Sequence, residues 1–322
     1  MNGIKTAIWM THREVACWNF TAANLARLKA ELPVLDPVVC TDEATFRTAL
    51  QEARIGVTIW HFEPAWFDQA PRLRWLATPA AGRDYFVATP PAHVTVTYGS
   101  FHGRIMAETA LGMIVAANRG IIHTALLQGG DPWPRAVLSE VIRPVGEGHL
   151  LVAGFGHIGR HIGRLAKALG MRVTGVRRHP AITPEDAGAA DAVVSPTEMD
   201  TLLPSADHLL LILPGGAASD GFLDRRRLGL LPPHAWVHNL GRGNAIDTEA
   251  LITSLRDGSI AGACLDVYDA EPLAADHPLR HTPNVLLMPH ASAISPHYMD
   301  YFLDEFQAQF RALDPPIRWS TA

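Results

Sequence analysis

The sequence predicts an α/β chain of two domains, each built on a doubly wound parallel sheet. Three observations predict it. The 322 residues exceed one ordinary domain. Short apolar runs alternate with helical patterns along the whole chain. One glycine-rich turn, Gly154-Phe155-Gly156-His157-Ile158-Gly159, lies between an apolar strand and a helix.

KTAIWM reads as a strand, ANLARLKAEL as a helix and PVLDPVVC as a strand. TDEATFRTALQEA reads as a helix with Thr41 as N-cap and acidic residues in its first turn. IGVTIW and RLRWLAT are further strands, and this first unit ends near residue 98. HGRIMAETALGMIVAANRG is apolar almost all round, so it is expected to be a buried helix. LLQGGDPWPR interrupts it with Gly and Pro. A second alternating series opens at GHLLVAGFG. It continues through the strands RVTGVR, HLLLIL, AWVHNL, GACLDV and NVLLMPH. SPHYMDYFLDEFQAQFRAL reads as a final helix.

Composition narrows the function. A net charge of -5 argues against a large basic surface, so no nucleic-acid partner is expected. Cys17, Cys40 and Cys264 are widely spaced, without metal-ligand spacing, and read as reduced thiols in a cytoplasmic protein. The opening MNGIKTAIWMTHREV meets charge early and lacks the apolar run of a signal peptide. Runs such as HLLLILP are too short to span a membrane.

The glycine-rich turn has the chemistry of a dinucleotide site. Gly154 allows a tight turn, Gly156 lets a pyrophosphate approach the backbone, and Gly159 lets helix and strand pack closely. The helix N-terminus offers free N–H groups and a positive dipole end. His157 and Ile158, inside the turn, count with the glycines as cofactor-side residues. A selector residue is expected about 20 residues on, where an acidic side chain would bind the ribose hydroxyls of NAD. VRRHP supplies none. Arg177 takes that slot and Arg178 follows, so two guanidiniums favour a 2′-phosphate and hence NADP(H) over NAD(H). The alternative leaves one arginine in solvent and stacks the other on adenine.

Three later stretches turn a binder into an enzyme. HNLGRGNAIDTEAL, CLDVYDAEP and MPHASA each place a polar residue just beyond an apolar strand: Arg242, Glu271 and His290. Arginine can clamp a carboxylate and polarise a carbonyl, and histidine can exchange a proton near neutral pH. A carboxylate beside the histidine fixes its ring. This set suits hydride reduction of a 2-oxo acid. Asp247 reads instead as a helix N-cap.

These motifs, with AAGRD, MAETALGMIVAANR and GFGHIG, resemble the D-isomer-specific 2-hydroxyacid dehydrogenases, glyoxylate/hydroxypyruvate reductases among them. The intervals also resemble that family's catalytic triad, 29 residues from Arg242 to Glu271 and 19 from Glu271 to His290. The resemblance implies a Rossmann nucleotide domain, residues 99–290, inserted into a flavodoxin-like substrate domain, residues 1–98 plus 291–322. It implies Arg242 on the substrate carboxylate and carbonyl, His290 as acid and base, and Glu271 paired with His290. Asp266 would hold the nicotinamide carboxamide. The N–H groups of Ala81 and Gly82 would cradle the substrate carboxylate, and His102 would be a substrate-side polar group. Pro214 and Ser292 would line the cofactor. Trp133 would anchor a homodimer.

Two departures from the family pattern stand out. LPGGAASDG carries Gly215 and Gly216 where threonine is usual, and Ala291-Ser292-Ala293 follows His290 in place of a glycine pair. The partner expected is a small 2-oxo acid, glyoxylate or hydroxypyruvate first. An NAD-linked D-lactate-like dehydrogenase and a non-catalytic, nucleotide-sensing dimeric scaffold are the alternatives.

Overall fold

The computed structural model describes residues 3–85, 89–127, 130 and 133–317. Two compact units emerge, residues 1–101 with 294–322, and residues 102–293. Both crossings fall three residues later than the sequence-based boundaries.

The first unit begins with β1 (Ile4–Trp9), α1 (Ala22–Glu31), β2 (Leu35–Cys40), α2 (Glu43–Leu50), β3 (Ile55–Thr58), α3 (Pro64–Asp68), β4 (Trp75–Thr78) and β5 (Thr95–Tyr98). Its strands form one parallel sheet in the order β2-β1-β3-β4-β5. Alternate residues feed two cores. Ile8, Ile55 and Trp75 point to one side, and Ala7, Trp9 and Leu76 to the other, where they meet Phe46, Leu50 and Trp66. The cap of α2 is Asp42, not the expected Thr41. The Asp42 carboxylate accepts from the Thr45 N–H at 2.8 Å, a reach that the hydroxyl one residue earlier lacks.

The second unit runs through α4 (His102–Asn118), α5 (Ile121–Leu127), α6 (Arg135–Val141), β6 (His149–Ala153), α7 (His157–Ala168), β7 (Arg172–Val176), β8 (Ala192–Val194) and α8 (Pro196–Leu202). It continues with β9 (His208–Leu211), α9 (Arg225–Leu228), β10 (Trp236–Asn239), α10 (Thr248–Arg256), β11 (Gly262–Leu265) and β12 (Val285–Leu287). The seven parallel strands stand in the order β12-β11-β10-β9-β6-β7-β8. Strand order therefore reverses between β6 and β9, the switch point where ligands meet such sheets. Leu150, Val152 and Leu210 pack with α4 and α7, and Leu151, Leu209 and Val237 with α8 and α10. β5 and β8, absent from the sequence-based set, are both edge strands. They are short and only partly buried, so neither carries a strong apolar signal.

The chain then returns to the first unit as α11 (Tyr298–Ile317). Phe306 stacks on Trp75 with ring centroids 4.5 Å apart, closing the first core with residues from the far end of the sequence. No single described helix is long and apolar enough to cross a membrane. The long helix α4 instead buries most of its residues, as its composition predicts.

The second unit contains a buried chain of polar groups. His208 Nε2 lies 3.0 Å from Asn118 Oδ1, and His208 Nδ1 lies 3.0 Å from His238 Nε2. The pattern assigns the protons. His208 donates to Asn118 and accepts from His238, which leaves the His238 Nδ1 as a bare acceptor with no described partner. Both rings are therefore neutral. Burial pushes His208 down to about 4 and His238 well below its ordinary value.

Stability follows from these depressed values. As pH falls below 6.5 the unfolded chain takes up protons that the folded histidines refuse, so stability is lost from there down toward about 4. At pH 5 the loss is about 2 kcal/mol for His208, and His238 adds in the same direction. Thermal unfolding should show a midpoint several degrees lower at pH 5 than at pH 7. A midpoint unchanged over that interval would contradict the neutral pair.

Candidate active site

The phosphate turn leaves β6 and enters α7. Gly154 has φ +101, and a Cβ there would stand 2.3 Å from the Ile212 carbonyl oxygen beyond β9, so no larger residue can bridge the switch point. A Cβ on Gly159 would meet the Gly154 oxygen at 2.7 Å, which holds helix and turn together. Around Gly156 the opposite holds: a Cβ would meet nothing within 4 Å. Gly156 is the N-cap of α7 and has no side chain to cap it, so the N–H groups of His157, Ile158 and Gly159 open the first turn. An open approach over uncapped N–H groups fits a pyrophosphate.

His102, expected on the substrate side, is buried at the head of α4 in this same neighbourhood. Burial, then the nearby His157, pushes it down to about 4, so it is a neutral ring beside the phosphate turn. Pro214 is exposed in the loop after β9.

At the end of β7 the two arginines differ sharply. Arg177 uses every N–H inside the protein. Its Nε donates to the His179 carbonyl at 3.0 Å, and Nη1 to Asp186 at 3.0 Å and to the Phe155 carbonyl at 3.4 Å. Nη2 donates to Asp186 at 2.6 Å and to the Ala181 carbonyl. Arg177 was expected at a 2′-phosphate; in this structure its five side-chain donors have five acceptors within the protein. Burial alone would raise the Asp186 carboxyl. Hydrogen bonds from Arg177 and Thr183 outweigh that and hold it well below the usual carboxylate range. Arg178, next in sequence, is exposed.

The catalytic candidates gather on the carboxyl edge of the neighbouring strands β10, β11 and β12. Arg242 follows β10. The Asn239 side chain donates to its carbonyl at 2.9 Å, and its own guanidinium donates to Gly241 at 2.8 Å. A Cβ on Gly243 would stand 1.9 Å from the Tyr268 carbonyl carbon, so the Arg242 turn packs directly on the backbone that follows β11. From there Glu271 reaches His290. Its Oε2 lies 2.7 Å from His290 Nδ1, and its Oε1 accepts from the Tyr268 N–H at 3.0 Å. The carboxylate thus places the proton on Nδ1 and leaves Nε2 as the ring nitrogen open to a reactant.

Asp266 is completely buried at the end of β11. Its two oxygens accept from the N–H groups of Ala291 at 2.7 Å and Ser292 at 3.0 Å, while its carbonyl accepts from the His290 N–H at 2.9 Å. This clamp holds His290 in a left-handed conformation, φ 51, that a histidine rarely adopts. Ser292 is buried, and its carbonyl accepts from Thr109 on α4 at 3.1 Å. Asp266 was expected at a nicotinamide carboxamide. Its carboxylate serves the turn and keeps one lone pair on each oxygen.

Two residues escaped the sequence. Tyr268 holds Glu271 through its N–H and ties β11 to β12, its hydroxyl donating to the Met288 carbonyl at 2.8 Å and lying 3.1 Å from the Leu265 carbonyl. Burial pushes its phenol up to about 12, so it stays a donor. Asp186 lies in a loop with no motif. Asp247 caps α10 through Ala250 at 2.9 Å, as expected of it. Ala81 and Gly82 sit in the first unit, just after β4, and no described residue accepts from their N–H groups.

A profile of the D-isomer specific 2-hydroxyacid dehydrogenase, NAD binding domain, matches residues 111–292. The chain belongs to this family. A glyoxylate reductase of Thermococcus onnurineus is 32% identical over 243 residues, covering 70% of this chain and 68% of that one. A glyoxylate/hydroxypyruvate reductase B of Pectobacterium carotovorum is 30% identical over 227 residues, 69% of each. A crystal structure of a D-isomer specific 2-hydroxyacid dehydrogenase family protein from Aeromonas salmonicida matches with TM-score 0.77 at 27% identity, covering 97% of both chains. The protein is an NAD(P)-dependent 2-hydroxyacid oxidoreductase of this family.

In this dehydrogenase the Asp266 clamp generates a sharp expectation. Asp266→Asn keeps the volume but sets an amide NH2 against one of the two backbone N–H groups. The left-handed turn at His290 then loses half its anchorage. Turnover should fall at least tenfold, about 1.4 kcal/mol, with the circular dichroism spectrum unchanged. A turnover number within about twofold of wild type would show that the turn holds without the carboxylate.

Proposed function

We propose that the enzyme reduces a small 2-oxo acid, glyoxylate or hydroxypyruvate, with NADPH. The observation that carries this reading is the Glu271–His290 pair, 2.7 Å apart on the carboxyl edge beside the Arg242 turn. The bound nicotinamide supplies the hydride. Arg242 binds the substrate carboxylate and polarises the 2-oxo group, stabilising the charge that develops on oxygen. His290 delivers a proton from Nε2 to that oxygen while Glu271 holds Nδ1. In the reverse direction Nε2 takes the proton back. The acids are favoured because the relatives named above are a glyoxylate reductase and a glyoxylate/hydroxypyruvate reductase.

The preference for NADP(H) rests on Arg178, exposed just past β7, and on the lack of an acidic side chain at residues 177 and 178. A cation there suits a 2′-phosphate and gives nothing to a free ribose hydroxyl pair. We further read the protein as a cytoplasmic homodimer. Ile121, Leu126, Trp133 and Val137 are large apolar side chains left exposed in one segment, a pattern that suits an interface. Arg135 lies 5.0 Å over the Trp133 ring.

Initial rates with glyoxylate, hydroxypyruvate, pyruvate and phenylpyruvate, each with NADPH and with NADH, test the reading. Glyoxylate or hydroxypyruvate with NADPH should lead. Best turnover of pyruvate with NADH would support a D-lactate-like enzyme instead. Cofactor binding without turnover of any acid would support the sensing scaffold. A second check is His290→Asn, in which the single-turnover reduction rate should fall by about a hundredfold or more; a rate near wild type would remove His290 from its role.

A further inference from the structure

The loop after β7 is built around Arg177. Its guanidinium binds the carbonyls of His179 and Ala181 and both oxygens of Asp186, so residues 179–186 wrap one planar fork. Asp186 is 2% exposed and is gripped from more than one side. The Thr183 N–H donates to it at 2.8 Å, and Arg160 of α7 approaches it at 3.5 Å. Arg164, one turn further along α7, donates to the Glu185 carbonyl at 2.6 Å. The fork and α7 therefore fix the loop before any ligand arrives. Arg178 stands between the end of the strand and the first pinned carbonyl. It is exposed, with no ion pair to a described residue.

We infer that Asp186 and Arg177 are positioning residues that set the choice between phosphorylated and unphosphorylated dinucleotide without touching either. The inference rests on the NADPH reading above and adds to it the device that makes Arg178 effective. A mobile arginine that captures a phosphate must give up backbone and side-chain freedom on binding. A loop already wrapped on its neighbour removes most of the backbone part of that cost. The benefit reaches only a ligand that uses Arg178. NADH, lacking the 2′-phosphate, gains nothing from it. The pair itself is close to neutral, because the Asp186 carboxylate offsets the Arg177 cation, so the field at the phosphate comes from Arg178.

The test is direct binding of NADPH and NADH, by calorimetry, to wild type, Arg178→Ala and the paired variant Arg177→Met/Asp186→Leu, in low and high salt. Replacing both partners by apolar groups avoids stranding one buried charge. The expected result for the paired variant is NADPH affinity reduced about tenfold, NADH affinity within about twofold of wild type, and the wild-type salt dependence of NADPH binding. Arg178→Ala should lose more NADPH affinity and most of the salt dependence. Equal loss of both nucleotides in the paired variant would show a merely structural loop and overturn the inference. So would retained selectivity, or a salt dependence lost as in Arg178→Ala, which would mean that Arg177 meets the phosphate directly. Should the paired variant fail to fold, Asp186→Asn is measured in the same way with the same outcomes decisive. Wild type binding NADH as tightly as NADPH would overturn the NADPH reading and the inference with it. A wild-type preference that survives both variants overturns the inference alone.

Discussion

The buried carboxylate of Asp266 fixes the sheet edge on which the catalytic candidates Arg242, Glu271 and His290 gather. It sits at the tip of β11, between the strands that deliver Arg242 and His290, and receives two backbone N–H groups from the turn after His290. Such a turn, with a histidine at positive φ, is costly on its own. A charged acceptor inside the protein makes hydrogen bonds stronger than those water would offer, and that surplus holds the strained conformer. The rest is arranged from there. Glu271 fixes one ring nitrogen, Tyr268 fixes Glu271, and Gly243 lets the Arg242 turn lie against Tyr268. His290 is thus part of a continuous backbone scaffold rather than a side chain on a free loop.

The same logic recurs at the glycine turn with different chemistry. There the backbone N–H groups are left open and uncapped. Gly154 and Gly159 allow the close approaches, and Gly156 leaves space. Beyond it, one arginine is consumed in shaping a loop and the next is left to the solvent. The two ends share a division of labour between groups left open and residues that hold them in place.

Much of this was legible in the sequence, for identifiable reasons. Buried parallel strands such as LLVA and HLLLIL advertise themselves because both faces are covered. The glycine turn and the Arg242, Glu271 and His290 motifs lie next to those strands, so their place on the sheet edge follows from the pattern. Partnership across loops is different. Nothing in VRRHPAITPED says that Asp186 folds back on Arg177 nine positions earlier, because no periodicity links residues in a coil. His102 was equally opaque, since a histidine at a helix start reads alike whether it faces water or is walled in by His157 and its neighbours. Asp266 was visible as a strand-end acid, but its hydrogen bonds run to backbone N–H groups, which leave no trace in side-chain identity.

The return of the last helix to the first sheet has a consequence for how the protein is made. Residues 102–293 form one uninterrupted unit, whereas the first unit takes its core from both ends of the chain. On the ribosome, the nucleotide unit emerges with all its strands and can fold as it appears. The five-stranded sheet, synthesised earlier, waits with Trp75 and Ile55 uncovered until Phe302 and Phe306 arrive. The sheet made before the nucleotide unit is thus sealed after it. Its early exposure of aromatic surface is the stage of biosynthesis at which a chaperone has most to hold.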